Sequence, residues 1–163
     1  MLENKKEISG LQALLDKSYQ FAGSHLKLIQ VEDHRLSAEK VIEQLNGVCI
    51  CDLATVGASG TPIVAPVDML FAHGQGFVNT GRDSIRIRHI QGNPKVSLAR
   101  TVEAELSILI HGIATIIDTE EYDFLHNLCI EHYGAEYDTW GIWSNPWFVI
   151  TPMKMFATSF PPR

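Results

Sequence analysis

Along the first forty-six residues the apolar positions recur at helical spacing. Leu11, Leu14, Leu15 and Tyr19, with Ser18 beside them, share one face of a helix that Gly23 and Ser24 bring to a stop. A second helix is predicted from Ser37 as N-cap through Ala38–Leu45, with Gly47 just past its end. From Val48 the pattern changes. Val48–Val56 is apolar and rich in β-formers, Gly57–Gly60 is a turn, and Thr61–Ala72 is a second extended run. The turn His73–Gly76 leads into a short strand, Gly76–Thr80, so these runs predict an antiparallel meander. Arg82–Gln91 breaks the alternation and reads as a short helix closed by Gly92, Asn93 and Pro94. Lys95–Arg100 and Ala104–Asp118 return to strand character, the latter with a bend at Gly112. Thr119–Tyr133 reads as a helix capped by Thr119, with Glu120 and Glu121 in its first turn. Phe148–Thr151 and Met153–Thr158 are the last predicted strands, one on each side of Pro152. Five or six strands without regular crossover helices predict a small antiparallel β-barrel, not a parallel α/β sheet.

Composition narrows the function. The 163 residues are 45% apolar and 20% charged, an ordinary globular balance that fits one domain. Thirteen Lys and Arg against nineteen Asp and Glu give a net charge of −6, which argues against general nucleic-acid binding. The opening MLENKKEISG has no apolar run behind its charges, and no window reaches the roughly 18 apolar residues of a spanning helix. Three cysteines do not make a disulfide framework. A soluble, cytoplasmic protein with no membrane partner is expected.

The stretch Thr80–Arg100 carries the clearest chemistry. Arg82, Arg86, Arg88, Lys95 and Arg100 are five of the thirteen strong bases, gathered in one short segment of an acidic chain. Arg82 and Arg86 lie four apart, on one helical face, beside the hydroxyls of Thr80 and Ser84. A strand ending in Thr80-Gly81 and feeding a helix presents free backbone N–H groups, and arginine adds a planar fork suited to phosphate. A plain solvated basic face is the alternative. Cys49 and Cys51 share a strand face, and His126, Cys129 and His132 follow at helical spacings of three. Neither set has the second pair of a structural zinc site, so no metal is expected. His111 either faces a ligand or alternates outward.

The order Thr80, Ser84, Arg86, Asn93-Pro94 and Val96-Ser97-Leu98, followed by a strand with Gly112, resembles the FMN-binding split-barrel family of pyridoxamine 5′-phosphate oxidase. Asp52–Val56 and Gly60–Val64 resemble that family's first two strands. The likeness covers residues 37–118 and, loosely, 147–158. It implies a mainly β (α+β) fold: a six-stranded antiparallel split β-barrel over residues 37–163, with helical inserts, behind an N-terminal helical extension at 1–36. It also implies a homodimer with FMN held between subunits. On this resemblance Arg86 stands where the family holds the flavin phosphate, and Asn79, Thr80 and Ser84 lie around it. Ala65, Pro66 and Val67 run along the ring, and Ser107 stands where the oxidase has a glutamine.

The departures from the family pattern also carry meaning. Ala65 replaces an arginine, Ile85 replaces a basic residue, and no Arg-x-His element follows Thr158. A true pyridoxamine phosphate oxidase is therefore not expected. The resemblance instead implies a flavin-dependent oxidoreductase acting on a small, uncharged or weakly polar molecule, with no catalytic side chain assigned. The alternatives are a non-enzymatic flavin or haem storage protein, a deazaflavin-dependent reductase, and a cofactor-free interaction module. Trp140, Trp143 and Trp147 crowd into eight positions. Trp143 is the candidate to stack on a flavin, and burial at a dimer interface is the other reading.

Overall fold

The computed structural model describes residues 2–160. The first helix, α1 (Lys5–Gln20), starts with a reciprocal cap. Asn4 Oδ1 accepts the N–H groups of Lys6 and Glu7, while Glu7 Oε2 accepts the Asn4 N–H at 2.8 Å. The helix ends at Gln20, just before Gly23 and Ser24, and Gly23 takes the N-cap position of a second helix, α2 (Ser24–Ile29). Ser37 caps α3 (Ala38–Gln44), its Oγ accepting the Lys40 N–H.

The remaining elements are β1 (Val48–Val56), β2 (Pro62–Ala72), β3 (Gln75–Asn79), α4 (Ile85–Gly92), β4 (Lys95–Val102), β5 (Leu106–Ile117), α5 (Asp123–Tyr133) and β6 (Trp147–Ser159). Among the described residues the six strands close into one barrel in the order β1-β2-β3-β6-β5-β4, every neighbour antiparallel. The barrel is thus two three-stranded meanders joined edge to edge, with α4 carrying the chain from one to the other. No described helix is long and apolar enough to cross a membrane.

The helix read over Arg82–Gln91 begins later, at Ile85, and two further departures from the sequence reading have clear physical causes. Asp118 outcompetes Thr119 as a cap: its Oδ1 accepts the Glu120 N–H, so Thr119–Glu121 forms a short 3₁₀ turn and α5 begins at Asp123. The two final strands are one. Gly112 pairs with Pro152 and His111 with Lys154, so Met153 bulges out and β6 continues past the proline. At a bulge the missing proline N–H is no loss to the ladder. The bulge requires close contact, because a Cβ on Gly112 would collide with the Thr151 carbonyl.

Two cores result. The barrel interior, including Cys49, Cys51, Leu53 and Val67, is continuous with Leu11 and Leu15 of α1 and with Val41, Ile42 and Leu45 around α3. Helix α1 also bonds directly to β6. Ser18 Oγ accepts the Met155 N–H at 3.0 Å, and the Tyr19 hydroxyl both accepts from Ala157 N and donates to Ala157 O at 2.8 Å. The second core lies outside the barrel, where Leu125, Cys129 and Tyr137 cover Leu70, Phe77, Trp147 and Val149. That outer layer shapes the site described next.

Gly112→Ala should therefore destabilise the fold by about 1–3 kcal/mol or more, the usual cost of overpacking. Gly10, inside α1 with nothing near a built Cβ, should behave oppositely. Gly10→Ala should stabilise by roughly 0.5–1 kcal/mol. Urea unfolding of both variants checks the pair.

Candidate functional site

A cavity of ≈ 470 Å³ opens between the outer face of β2, the end of β3, and the layer formed by α5 and the residues after it. Alternation along β2 puts Pro66, Asp68 and Leu70 on its outer face, while Val67 and Met69 enter the barrel core. Asn79 and Thr80 end β3, and α4 begins a few residues later. Ser84 caps α4, its Oγ accepting the Arg86 N–H at 3.2 Å. This places Arg86 on the first turn, with its guanidinium in the cavity wall.

Arg86 is held by neutral groups alone. Its Nη1 donates to Thr80 Oγ1 at 3.3 Å and its Nη2 to the Pro66 carbonyl at 3.2 Å. None of the ion pairs among the described residues includes it. A guanidinium fixed in a cavity wall with no ion-pair partner is ready for an anionic ligand. Trp147, only 3% exposed, lines the same cavity, and its indole N–H has no protein partner. A buried donor without a partner is uncommon in a folded protein. These donors, beside the aromatic rings of Tyr133 and Tyr137, fit a phosphorylated, planar cofactor.

The structure gathers Pro66, Val67, Asn79, Thr80 and Arg86 around the cavity. Asn79 is turned to structural use, donating from Nδ2 to the Ile142 carbonyl at 3.2 Å and so tying the loop before β6 to β3. Ser84 acts through the α4 cap. Ala65 lies outside the cavity wall, on the strand face that Val67 and Met69 share. Ser107 is remote within this chain. It pairs with Thr158 near one end of β6, whereas the cavity residue Trp147 begins the other end. Trp143 sits behind the wall, its ring edge-on to Trp147 at 5.4 Å and to His126 at 4.8 Å. Of the three tryptophans, it is Trp147 that lines the cavity.

Sequence reasoning missed Asp68 and Tyr133. The Tyr133 hydroxyl donates to Asp68 Oδ2 at 2.7 Å, joining α5 to β2 across the cavity. Burial, and then this bond, hold the Tyr133 hydroxyl well above its ordinary range. Burial and the adjacent Cys129 do the same for Tyr137. Asp68 was legible in principle, two positions beyond Pro66 on the same strand face. Tyr133 was not, because nothing local links α5 to β2.

The other flagged groups lie elsewhere or are quenched. Cys49 and Cys51 are buried in the barrel, where burial pushes the Cys51 thiol up to about 12. His126 bonds Asp138 at 2.6 Å, and no cluster of three metal-ligating side chains occurs among the described residues. His111 bonds Ser97 at 2.8 Å, and burial and Lys154 lower its pKa.

A closed barrel of this topology, with an arginine just past its third strand that has no ion-pair partner among the described residues, defines the split-barrel class. Residues 37–158 match the pyridoxamine 5′-phosphate oxidase family, and the chain belongs to it. No curated protein matches it in sequence. Among solved structures, it is similar to the conserved hypothetical protein Rv2991 from Mycobacterium tuberculosis, with TM-score 0.67 and 18% identity over 82% of this chain and 94% of that one. HutZ, the haem storage protein from Vibrio cholerae, matches with TM-score 0.63 and 23% identity over 77% and 96% of the two chains. A FAD-binding protein from Mesorhizobium loti matches with TM-score 0.57 and 15% identity over 77% and 96%. These likenesses establish the fold.

The buried acids give a pH prediction. Cys49, Cys51 and Cys129 have thiol pKa values raised in the folded state, chiefly by burial. The unfolded chain therefore releases these protons first, and their contribution to stability is complete below the ordinary thiol value of 9.0. It is lost as pH rises from there toward about 12. The urea midpoint should fall steadily above pH 9.0, and all three thiols should resist alkylation at neutral pH until the chain unfolds.

Proposed function

We propose that the protein is an FMN-dependent oxidoreductase that works as a homodimer on a small, weakly polar substrate. The uncompensated Arg86 guanidinium, anchored on Thr80 and Pro66 in a cavity wall, carries this reading. Arg86 and Thr80 would hold the phosphate, the Pro66–Val67 segment would lie along the ring, and the Trp147 N–H would donate to it. FMN, when bound, supplies hydride chemistry at its ring, and the protein supplies binding, orientation and exclusion of water. The remaining wall is largely apolar, including Ile50, Leu70 and Ile142, which suits a weakly polar substrate.

Several observations support this reading over its rivals. Haem needs an axial ligand, and among the described residues no histidine lines the cavity. Cys129 and Tyr133, which do line it, are both held in their protonated forms by burial and neighbours. A second copy is favoured by Ile50, 70% exposed and lining the cavity, and by Val64, 61% exposed on the outer face of β2. A second copy is also the only way Ser107 reaches a site. Three free buried thiols suit a reducing compartment such as the cytoplasm.

Loss of a charge-assisted anchor should weaken FMN binding by about 1.5–3 kcal/mol in Arg86→Ala, a factor of roughly 10 to 150. Riboflavin, without the phosphate, should bind poorly to wild type and change little in the variant. An equal loss for both ligands would point to misfolding instead.

Light scattering at micromolar concentration should give a dimer. A monomer that still holds FMN would remove the shared site. Bound FMN should be reduced anaerobically by NADH or NADPH and reoxidised by quinones faster than free reduced FMN. A flavin that never cycles makes the protein a carrier.

A further inference from the structure

The cavity has two polar poles of opposite hydrogen-bonding character, and only the first has a role so far. At that pole the Arg86 guanidinium can only donate. The second pole lies two residues along β2 from Pro66, whose carbonyl accepts from Arg86, a step of roughly 7 Å along the strand. There the Tyr133 hydroxyl gives its one proton to Asp68 Oδ2. With that proton committed, the phenolic lone pairs and Asp68 Oδ1 offer acceptors and no donor. Among the described residues no cation pairs with Asp68, so its charge is left for a ligand to meet. Tyr133 is itself fixed, its ring stacked on that of buried Tyr137 at 5.6 Å with 9° between the planes. The acceptor pole is thus built from both walls, β2 and α5.

We infer that Asp68 accepts a ring N–H of the bound cofactor, so that the cavity selects a flavin-type ring with an unsubstituted imide nitrogen. This inference rests on the FMN reading. A carboxylate accepts from an N–H more strongly than a neutral oxygen does, and it repels any ligand that brings carboxylates of its own to that end. Tyr133 is the positioning residue: its hydrogen bond fixes the carboxylate, and its own acceptor lone pairs leave the pole without a competing donor.

The test compares FMN with 3-methyl-FMN, in which N–CH3 replaces the imide N–H. Binding to flavin-free protein is followed by quenching of flavin fluorescence. Wild type should prefer FMN by roughly tenfold or more, the worth of a hydrogen bond to a charged group. Asp68→Ala should bind the two ligands equally, whereas Asp68→Asn, whose amide oxygen still accepts, should keep most of the preference. Tyr133→Phe should lower the preference without abolishing it. If Asp68 only ties α5 to β2, Asp68→Ala will weaken both ligands alike and the preference will survive. That result, or equal binding by wild type, overturns the inference and leaves the FMN reading standing. Failure of wild type to bind either flavin overturns both.

Discussion

The contact of Gly112 with the Thr151 carbonyl is the constraint on which the rest of the molecule depends. Any side chain at that position would push β5 and β6 apart where the extra residue, Met153, must be absorbed. With the bulge in place, β6 pairs with β5 along nearly its whole length and with β3 over Gly76–Asn79. That double pairing closes the barrel. It also fixes the start of β6, and hence the opposition of Trp147 to both Asn79 and Ile117. The cavity wall is in this sense an outcome of strand register, set by a glycine on β5 that pairs with β6 five residues beyond Trp147.

Electrostatics inside the cavity follow from the same framework. Two side chains of opposite charge, Arg86 and Asp68, face one space without pairing, each held by neutral groups. A direct ion pair would have satisfied both within the protein and left little for a ligand. Keeping them apart, Arg86 on α4 and Asp68 on β2, gives the cavity a direction, with a cationic end and an anionic end. Binding energy then depends on a ligand long enough to reach both.

Much of this was legible locally. The β-forming runs of β1 and β2, the bend at Gly112 and the Ser37 cap are short-range signals, and the structure keeps them. Arg86 and Thr80 were legible for the same reason, since one strand end and one helix start bring them together within six residues. Pro152 misled because proline ordinarily ends a strand, while a bulge accommodates it. Asp68 and Tyr133 meet across 65 residues of sequence, through the packing of α5 on β2, and no local pattern encodes that. Trp143 and Trp147 differ for a similar reason. Only the register of β6 decides which indole reaches the cavity, and the segment before the strand has no period to reveal it.

The bonds from α1 to β6 have a consequence for life in a crowded solution. Between Met155 and Ala157 the second edge of β6 faces no described strand, because β3 pairs with it only as far as Ile150. Ser18 and Tyr19 occupy that edge with hydroxyl groups, and the Leu36 N–H takes the Ala157 carbonyl at 2.9 Å. An uncovered strand edge is a template on which other chains can add strand after strand into fibres. The amino-terminal helix therefore serves as a stopper against open-ended polymerisation, and its two hydroxyls stand in for a seventh strand that would have no stopper of its own.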